Sequence, residues 1–304
     1  MELWSLTHSR PDHALSAARR AEAAGWAGLC VVDSQNLAPD AYVALTLAAT
    51  GTSRLGLGTG VTNSVTRHPA VAASAAMAVQ QVSGGRMALG IGRGDSALAH
   101  LGRSPARLAG FAQYVEVLQQ YLRGEAVPFD RLAMDDGIAA PVEHLALADH
   151  PESSRIRWFD PGLPKVPLEI AATGPRVIEL AGRVADRVLL TLGAVSERLR
   201  WGIDLARRAR EDAGQDPDGL AVGAYVNLVC HEDAAVARDL VRGGLTTFAR
   251  FSVMHGAVSG PADPDTREVL NRLHDGYDMR QHTRADSGQA RLLDDGFVDA
   301  FAIA

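Results

Sequence analysis

The polar residues that end apolar runs in this chain are the ones whose types and spacing can do chemistry. Five such endings stand out: Thr7-His8, Asp33-Ser34, Gly60-Val61-Thr62-Asn63, Arg93-Gly94-Asp95-Ser96 and Thr173-Gly174-Pro175-Arg176. A carboxyl such as Asp95 or an imidazole such as His8 can pass a proton to a reacting group. Asp95 equally suits the N-cap of a following helix, for which Asp is a favoured type. Asp33 serves as a polar anchor or accepts from the backbone of its own loop. Thr173-Gly174-Pro175-Arg176 stands between a strand pattern and a helix pattern, where free N–H groups and the helix dipole favour an anion. Pro175 lacks an N–H, so Gly174, Arg176 and the Thr173 hydroxyl are the available donors, with the Arg176 charge in support. The same residues also suit an ordinary turn.

Other chemistries are argued against. Gly92, Gly94 and Ala97 form a G-x-G-x-x-A run, but a dinucleotide fingerprint needs an acidic residue about twenty positions on, at the end of the next strand. Glu116, the only candidate, lies inside the helical pattern FAQYVEVLQQYL. No phosphate-binding GxxxxGK[ST] loop is present. The ten histidines include no HExxH pair, so no catalytic metal is expected, and His68 before Pro69 reads as a packed loop residue. Cys30 and Cys230 sit in apolar runs without a CxxC, which reads as two buried, reduced thiols. Thirty basic against thirty-six acidic residues leave a net charge of −6, which gives no electrostatic case for nucleic acid or an anionic membrane. The start, MELWSLTHSRPDH, turns polar too soon for a secretory signal, and no apolar run reaches the roughly eighteen residues of a membrane span. A soluble, cytoplasmic protein is expected.

The elements that must position these residues alternate. Strand patterns at Leu3 to Thr7, Gly28 to Asp33, the stretch from Arg54 that ends in Gly60-Val61-Thr62-Asn63, and Met87 to Gly92 are each followed by a helix pattern, at Pro11 to Ala24, Asp40 to Thr50, Pro69 to Val82 and Pro105 to Leu122. From 124 to 165 periodicity dissolves into Pro, Asp and His, which marks an insertion after the fourth βα unit. Alternation resumes with strands Pro167 to Ala172, Arg187 to Leu192 and Leu220 to Cys230, with helices from Pro175, Ser196 and Asp233; FVDAFAIA, Phe297 to Ala304, reads as an eighth strand. Near-continuous apolar strands joined by helices predict an α/β fold with a parallel sheet, and eight such units predict a (β/α)8 TIM barrel in one domain, 1–304. In a barrel of this kind the active site gathers at the C-terminal strand ends, where the five polar endings lie.

The stretches RLGLGTGVTNSVTRHPAV, SGGRMALGIGRGDSA and AATGPRVIELAGRVADRVLL together resemble the luciferase-like superfamily of flavin- and deazaflavin-dependent oxidoreductases. In particular they resemble its coenzyme F420-dependent branch, which includes methylenetetrahydromethanopterin reductases. Motif order and spacing match along residues 1 to 195, and the insertion falls where the family varies. The resemblance implies a luciferase-like barrel with the cofactor at its C-terminal mouth and a bulge at the third strand whose Gly60–Val61 peptide bond is cis. It implies that Gly60 and Val61 back the ring system, that Asp33 and Asn63 contact it, and that Arg93 and Gly94 meet its edge. Thr173, Gly174 and Arg176 would then hold the phosphate. Asp95 stands where sugar-phosphate-oxidising relatives have a catalytic glutamate, and His8 is a second catalytic candidate. Those relatives place a histidine directly after the second-strand Asp; this chain has Ser34, which argues against sugar-phosphate oxidation.

The implied activity is hydride transfer between reduced F420 and an unsaturated or carbonyl-type small organic substrate. The alternatives are an FMN-dependent monooxygenase, a cofactor-free binding barrel, and a metal-free lyase using the anion site. Dimerisation through barrel helices is a further implication, and the insertion at 124–165, with Trp158 and Phe159, is a candidate lid.

Overall fold

The computed structural model describes residues 1–282, 284 and 288–304, which form two compact units. The first unit comprises Met1–Leu98 and Ser104–Pro167; the second comprises Ala99–Arg103 and Leu168–Ala304.

The first unit runs β1 (Trp4–Thr7), α1 (Pro11–Ala23), β2 (Gly28–Val31), α2 (Ala41–Gly51), β3 (Gly56–Thr59), β4 (Thr62–Asn63), α3 (Pro69–Ser83), β5 (Met87–Gly92), the short α4 (Ser96–Ala99) and α5 (Leu108–Leu122). β1, β2, β3 and β5 are successive parallel neighbours, and β4 also pairs with β5. Trp4 explains two glycines: a Cβ on Gly28 or Gly56 would lie 2.4 or 2.7 Å from its ring, so the indole fills the space above both strands. Glu22 of α1 accepts from the N–H groups of Ser53, Arg54 and Leu55 and so fixes the entry to β3. β5 is buried at all six positions. Each Leu or Ile fully buried there contributes about 2 kcal/mol relative to exposure.

β3 and β4 are one strand with a bulge. Gly58 pairs with Ala88 and Thr62 with Ile91, so three residues, 59–61, oppose two, 89–90. An extra residue of this kind bends the strand and re-aims the side chains after it. The bulge forces a close approach, because a Cβ on Gly90 would meet the Thr59 carbonyl oxygen at 2.2 Å. The Gly60–Val61 bond is cis, as the resemblance implies. The insertion at 124–165 carries two short 3-10 turns, Phe129–Arg131 and Val142–Leu145, and an antiparallel bridge of Val127 to Ser154. Phe159 packs on Gly124, and Trp158 is half exposed.

The second unit runs β6 (Leu168–Ala172), α6 (Pro175–Val184), β7 (Arg187–Leu190), α7 (Ser196–Asp212), β8 (Ala221–Ala224), α8 (Ala234–Ala249), α9 (Pro264–Gly276) and α10 (Asp295–Phe301). β6, β7 and β8 are parallel neighbours, with Glu169 to Ala172 level with Arg187 to Leu190, and Arg187 to Leu190 level with Ala221 to Ala224.

The expected eighth strand, Phe297 to Ala304, is instead helix α10 followed by a single parallel bridge of Ile303 to Leu228. Asp294 caps the helix by accepting from Phe297 N–H at 2.8 Å, and Phe297 and Phe301 stack one turn apart with ring centres 4.1 Å apart. Phe297, Val298 and Phe301 bury against Leu245, Val253 and Leu273. A short apolar run does not by itself distinguish helix from strand, and here the cap and the i, i+4 aromatic pair decide for helix. The strand expected from Leu220 to Cys230 keeps its ladder only over β8. The cysteines also depart from expectation: Cys30 is half-buried and Cys230 exposed. Among the described residues no helix is long and apolar enough to cross a membrane.

Candidate active site

In the first unit the strand ends bring Asp33, Thr62 and Arg67 together, with Asn63 next to Thr62 in the chain. Thr62, on the strand that the bulge re-aims, donates its hydroxyl to Asp33 Oδ2 at 2.6 Å. Arg67 Nε lies 3.9 Å from the same oxygen, pairs with Asp40 at 2.5 Å and stacks 4.9 Å above the Tyr42 ring. Asp33 is 7% exposed, and burial raises its carboxyl above the ordinary carboxylate range against the pull of Thr62 and Arg67. Asp33 therefore accepts from a side-chain hydroxyl rather than from the N–H groups of its own loop.

Asn63 is 2% exposed, and its carbonyl is fully used: Oδ1 accepts from Val65 N–H and Thr66 N–H, both at 3.0 Å, and from the Thr66 hydroxyl at 3.2 Å. Among the described residues its Nδ2 has no partner, and neither has the buried hydroxyl of the next residue, Ser64. A buried amide donor left unmade costs about 1–3 kcal/mol. Asn63 is oriented by the turn it closes, which leaves the amide as the group to offer.

Gly94 follows β5 with φ +85°, and a Cβ there would lie 2.7 Å from Leu98 and 3.2 Å from Asn63 Cβ, so glycine is required on both counts. Arg93 Nε donates to the Ala106 carbonyl at 2.6 Å, which ties the segment before α5 to the end of β5. Asp95 stands at the start of α4, half-buried, where its backbone carbonyl accepts from Leu98 N–H at 3.1 Å. That is the position of a helix N-cap. His8 is exposed and lines a cavity of about 330 Å³ with Arg10, Asp12, His13 and Ser16; no other candidate lines that cavity. His68 caps α3, accepting from Ala70 N–H through Nδ1, which fits the packed loop reading. Among the described residues no cluster of His, Cys, Asp and Glu could hold a metal.

In the second unit, Gly174 is the N-cap of α6 and no side chain caps that helix. Pro175 opens it, so Arg176 carries its first N–H, and Val177 and Ile178 turn back to the Gly174 carbonyl. Thr173 shares a short hydroxyl–hydroxyl hydrogen bond with Thr191, the residue that follows β7. The space around Gly174 is open apart from the Ser259 hydroxyl, 3.9 Å from where a Cβ would stand.

Sequence reading gave Thr62 no role of its own within its strand ending and missed Arg67, Thr191 and Ser259. Thr62 and Thr191 had a signal, since each is the hydroxyl residue next to a predicted strand end. Arg67 and Ser259 had none, because the contacts that place them span 34 and 85 residues, Arg67 to Asp33 and Ser259 to Gly174.

Comparison with known proteins follows the same lines as the geometry. The model of the luciferase-like monooxygenase family matches residues 2–304. A 5,10-methylenetetrahydromethanopterin reductase of Methanolobus tindarius is 31% identical over 73% of this chain, and the match spans 63% of that protein's length, less than two thirds. One from Archaeoglobus fulgidus is 29% identical over 86% of this chain and 73% of its own. The solved coenzyme F420-dependent tetrahydromethanopterin reductase of Methanopyrus kandleri superposes with a TM-score of 0.69 at 21% identity, covering 100% of this chain and 85% of that one. The likeness shows the fold class, a luciferase-like α/β barrel.

Proposed function

Because the chain belongs to the luciferase-like monooxygenase family, we propose that it is an oxidoreductase moving a hydride between reduced coenzyme F420 and an unsaturated or carbonyl-type small organic substrate. The observation that carries this reading is the buried, unpartnered Nδ2 of Asn63 beside the Asp33–Thr62 pair at the bulged strand end. The donor set fits a deazaflavin: a planar heterocycle rich in carbonyl oxygen and ring nitrogen meets an amide donor, a hydroxyl-bonded carboxyl and a segment of open main chain. Gly60, Val61, Asp33, Asn63, Arg93 and Gly94 would hold the ring, and Thr173, Gly174 and Arg176 the phosphoryl group. Bound there, the cofactor supplies hydride chemistry at its ring carbon, and the chain positions, encloses and exchanges protons.

Proton exchange falls to Asp95 and His8, and we add Asp33, whose buried carboxyl keeps its proton to higher pH than an ordinary carboxylate. Asp95, half-buried, is the better enclosed of the first two; His8 faces solvent. The insertion at 124–165 would close over the substrate.

Relatives named as F420-dependent, a glucose-6-phosphate dehydrogenase and a hydroxymycolic acid dehydrogenase, favour F420 over FMN, the cofactor of the second reading, a monooxygenase of the same family. Fluorescence titration of the purified chain with each cofactor decides. F420 binding in the micromolar range with no FMN binding is the expected outcome; the reverse removes the first reading.

We propose in addition that two copies pair through α2 and α3. Neither helix contains Asp, Glu, Lys or Arg, and Val43, Leu47, Val71 and Val82 are exposed on them. An uncharged apolar face suits a second copy of itself, since neither side then strips water from a charge. Light scattering should give a dimer for the wild type and a monomer for Val71→Glu.

A further inference from the structure

Arg198, in the first turn of α7, is 1% exposed, which makes it one of the most deeply buried side chains of the second unit. All of its hydrogen bonds run to uncharged acceptors: the carbonyls of Leu192 (3.1 Å), Pro261 (2.6 Å) and Ser259 (2.9 Å) and the hydroxyl of Ser252 (2.9 Å). Its guanidinium also faces the Phe301 ring at 5.4 Å. Among the described residues no carboxylate lies within ion-pair distance. Glu197 and Arg267 are the charged groups near enough to act on it, and they pull in opposite directions. The location is also unfavourable, since the start of a helix carries the positive end of its dipole. A buried charge is ordinarily paired, because desolvation costs several kcal/mol that neutral acceptors offset only in part.

Residues 252–261 are clamped by Arg198 at Ser252, Ser259 and Pro261, and Trp201, one turn further along α7, fills the space above Gly260, where a Cβ would lie 2.9 Å from the indole. The Ser259 N–H donates to the Ser252 carbonyl at 2.7 Å and its carbonyl accepts from Arg198, so the main chain of Ser259 is fixed at both ends. Its hydroxyl makes no hydrogen bond to the described residues, and it stands beside Gly174 at the uncapped start of α6.

We infer that Arg198 is a positioning residue for a phosphoryl group at the start of α6: it fixes Ser259 so that the hydroxyl donates to a phosphoryl oxygen alongside the Gly174 and Arg176 N–H groups, and its buried charge deepens the positive potential there. This rests on the reading that Thr173, Gly174 and Arg176 hold the cofactor's phosphate. Ser259 is the ligand and Arg198 acts through it.

The test compares fluorescence titrations of the full chain with F420 and with its deazaflavin fragment bearing the sugar-alcohol chain but no phosphate, for wild type, Ser259→Ala and Arg198→Lys. The wild type should prefer F420, and Ser259→Ala should cut that preference by about tenfold, the worth of one hydrogen bond to a charged group. Affinity for the fragment should stay unchanged. Arg198→Lys keeps the charge but loses the fork that reaches four acceptors, and should cut the preference similarly. A wild type that prefers F420 together with an unaltered preference in Ser259→Ala overturns the inference and leaves the phosphate reading standing. A wild type with no preference overturns both. Should Arg198→Lys unfold, as circular dichroism would show, Ser259→Ala decides alone.

Discussion

The cluster at the end of β4 and the start of α6 place polar groups at strand ends by opposite means. The first uses side chains packed almost out of solvent, and nearly every donor and acceptor in it is spent: Thr62 on Asp33, Asn63 Oδ1 on three donors of its own turn, Arg67 on Asp40. What remains, among the described residues, is the Asn63 amide with the buried hydroxyls of Ser64 and Tyr42. The second leaves a helix end uncapped, so its donors are main-chain N–H groups and its side chains are only partly covered. A buried network fixes direction sharply and loses much when one member changes. A helix end tolerates side-chain change better, because the backbone supplies the donors and the dipole supports an anion whatever the side chain. The two regions should therefore respond differently to single substitutions.

The sharpest contrast is expected from Asn63→Asp. The retained oxygen still accepts from Val65 and Thr66, but the second oxygen is buried without a donor, so the thermal midpoint should fall as well. The lost amide donor becomes an acceptor, and F420 affinity should fall by about a hundredfold or more, since an acceptor facing an acceptor forfeits the hydrogen bond and adds repulsion. An unchanged dissociation constant would remove Asn63 from the ring site and blur the distinction between the two regions. Arg176→Ala should cost less, about tenfold in F420 affinity, because the N–H groups at the start of α6 remain; the loss should shrink as salt is added, as screening reduces what the partly exposed charge contributes. A loss insensitive to salt would mean that Arg176 acts by packing.

The smallest effect concerns Asp33 and pH. Burial raises its folded-state value above the unfolded one, taken as 3.8, so the folded chain holds the proton where the unfolded chain has released it. The stability this confers is complete below the unfolded value and is lost as pH rises through the folded value. Asp33→Asn imitates the protonated form. The midpoint of the variant relative to wild type should thus climb between acid and neutral pH, and a flat difference in thermal scans would show that Asp33 titrates normally.

Much of the candidate site was legible before the fold, for local reasons. Asp33, Asn63, Gly94, Asp95 and Gly174 each end an apolar run, and a strand end followed by a helix start is written in neighbouring residues. Gly94 was readable as a required glycine only in part: its positive φ belongs to the turn, but the approach of Asn63 Cβ at 3.2 Å comes from another strand. His8 reads as a strand-end group, yet its surroundings are a separate cavity with Arg10 and Asp12. The run at Phe297 was misread because apolar content without a visible cap fits either period, and Asp294, which starts the helix, counts as a cap only once Phe297 is known to donate to it.

Sequence alone determined the alternation of strands and helices, the family, the strand ends that carry polar residues and the helix start suited to an anion, because each depends on periodicity or on groups a few bonds apart. Tertiary structure alone decided which polar atoms are already spent. Asn63 Nδ2 is left over and Arg198 is buried without a carboxylate only because chain segments far apart in sequence exclude water from them. Desolvation depends on everything packed around an atom, and no local pattern of residue types encodes it.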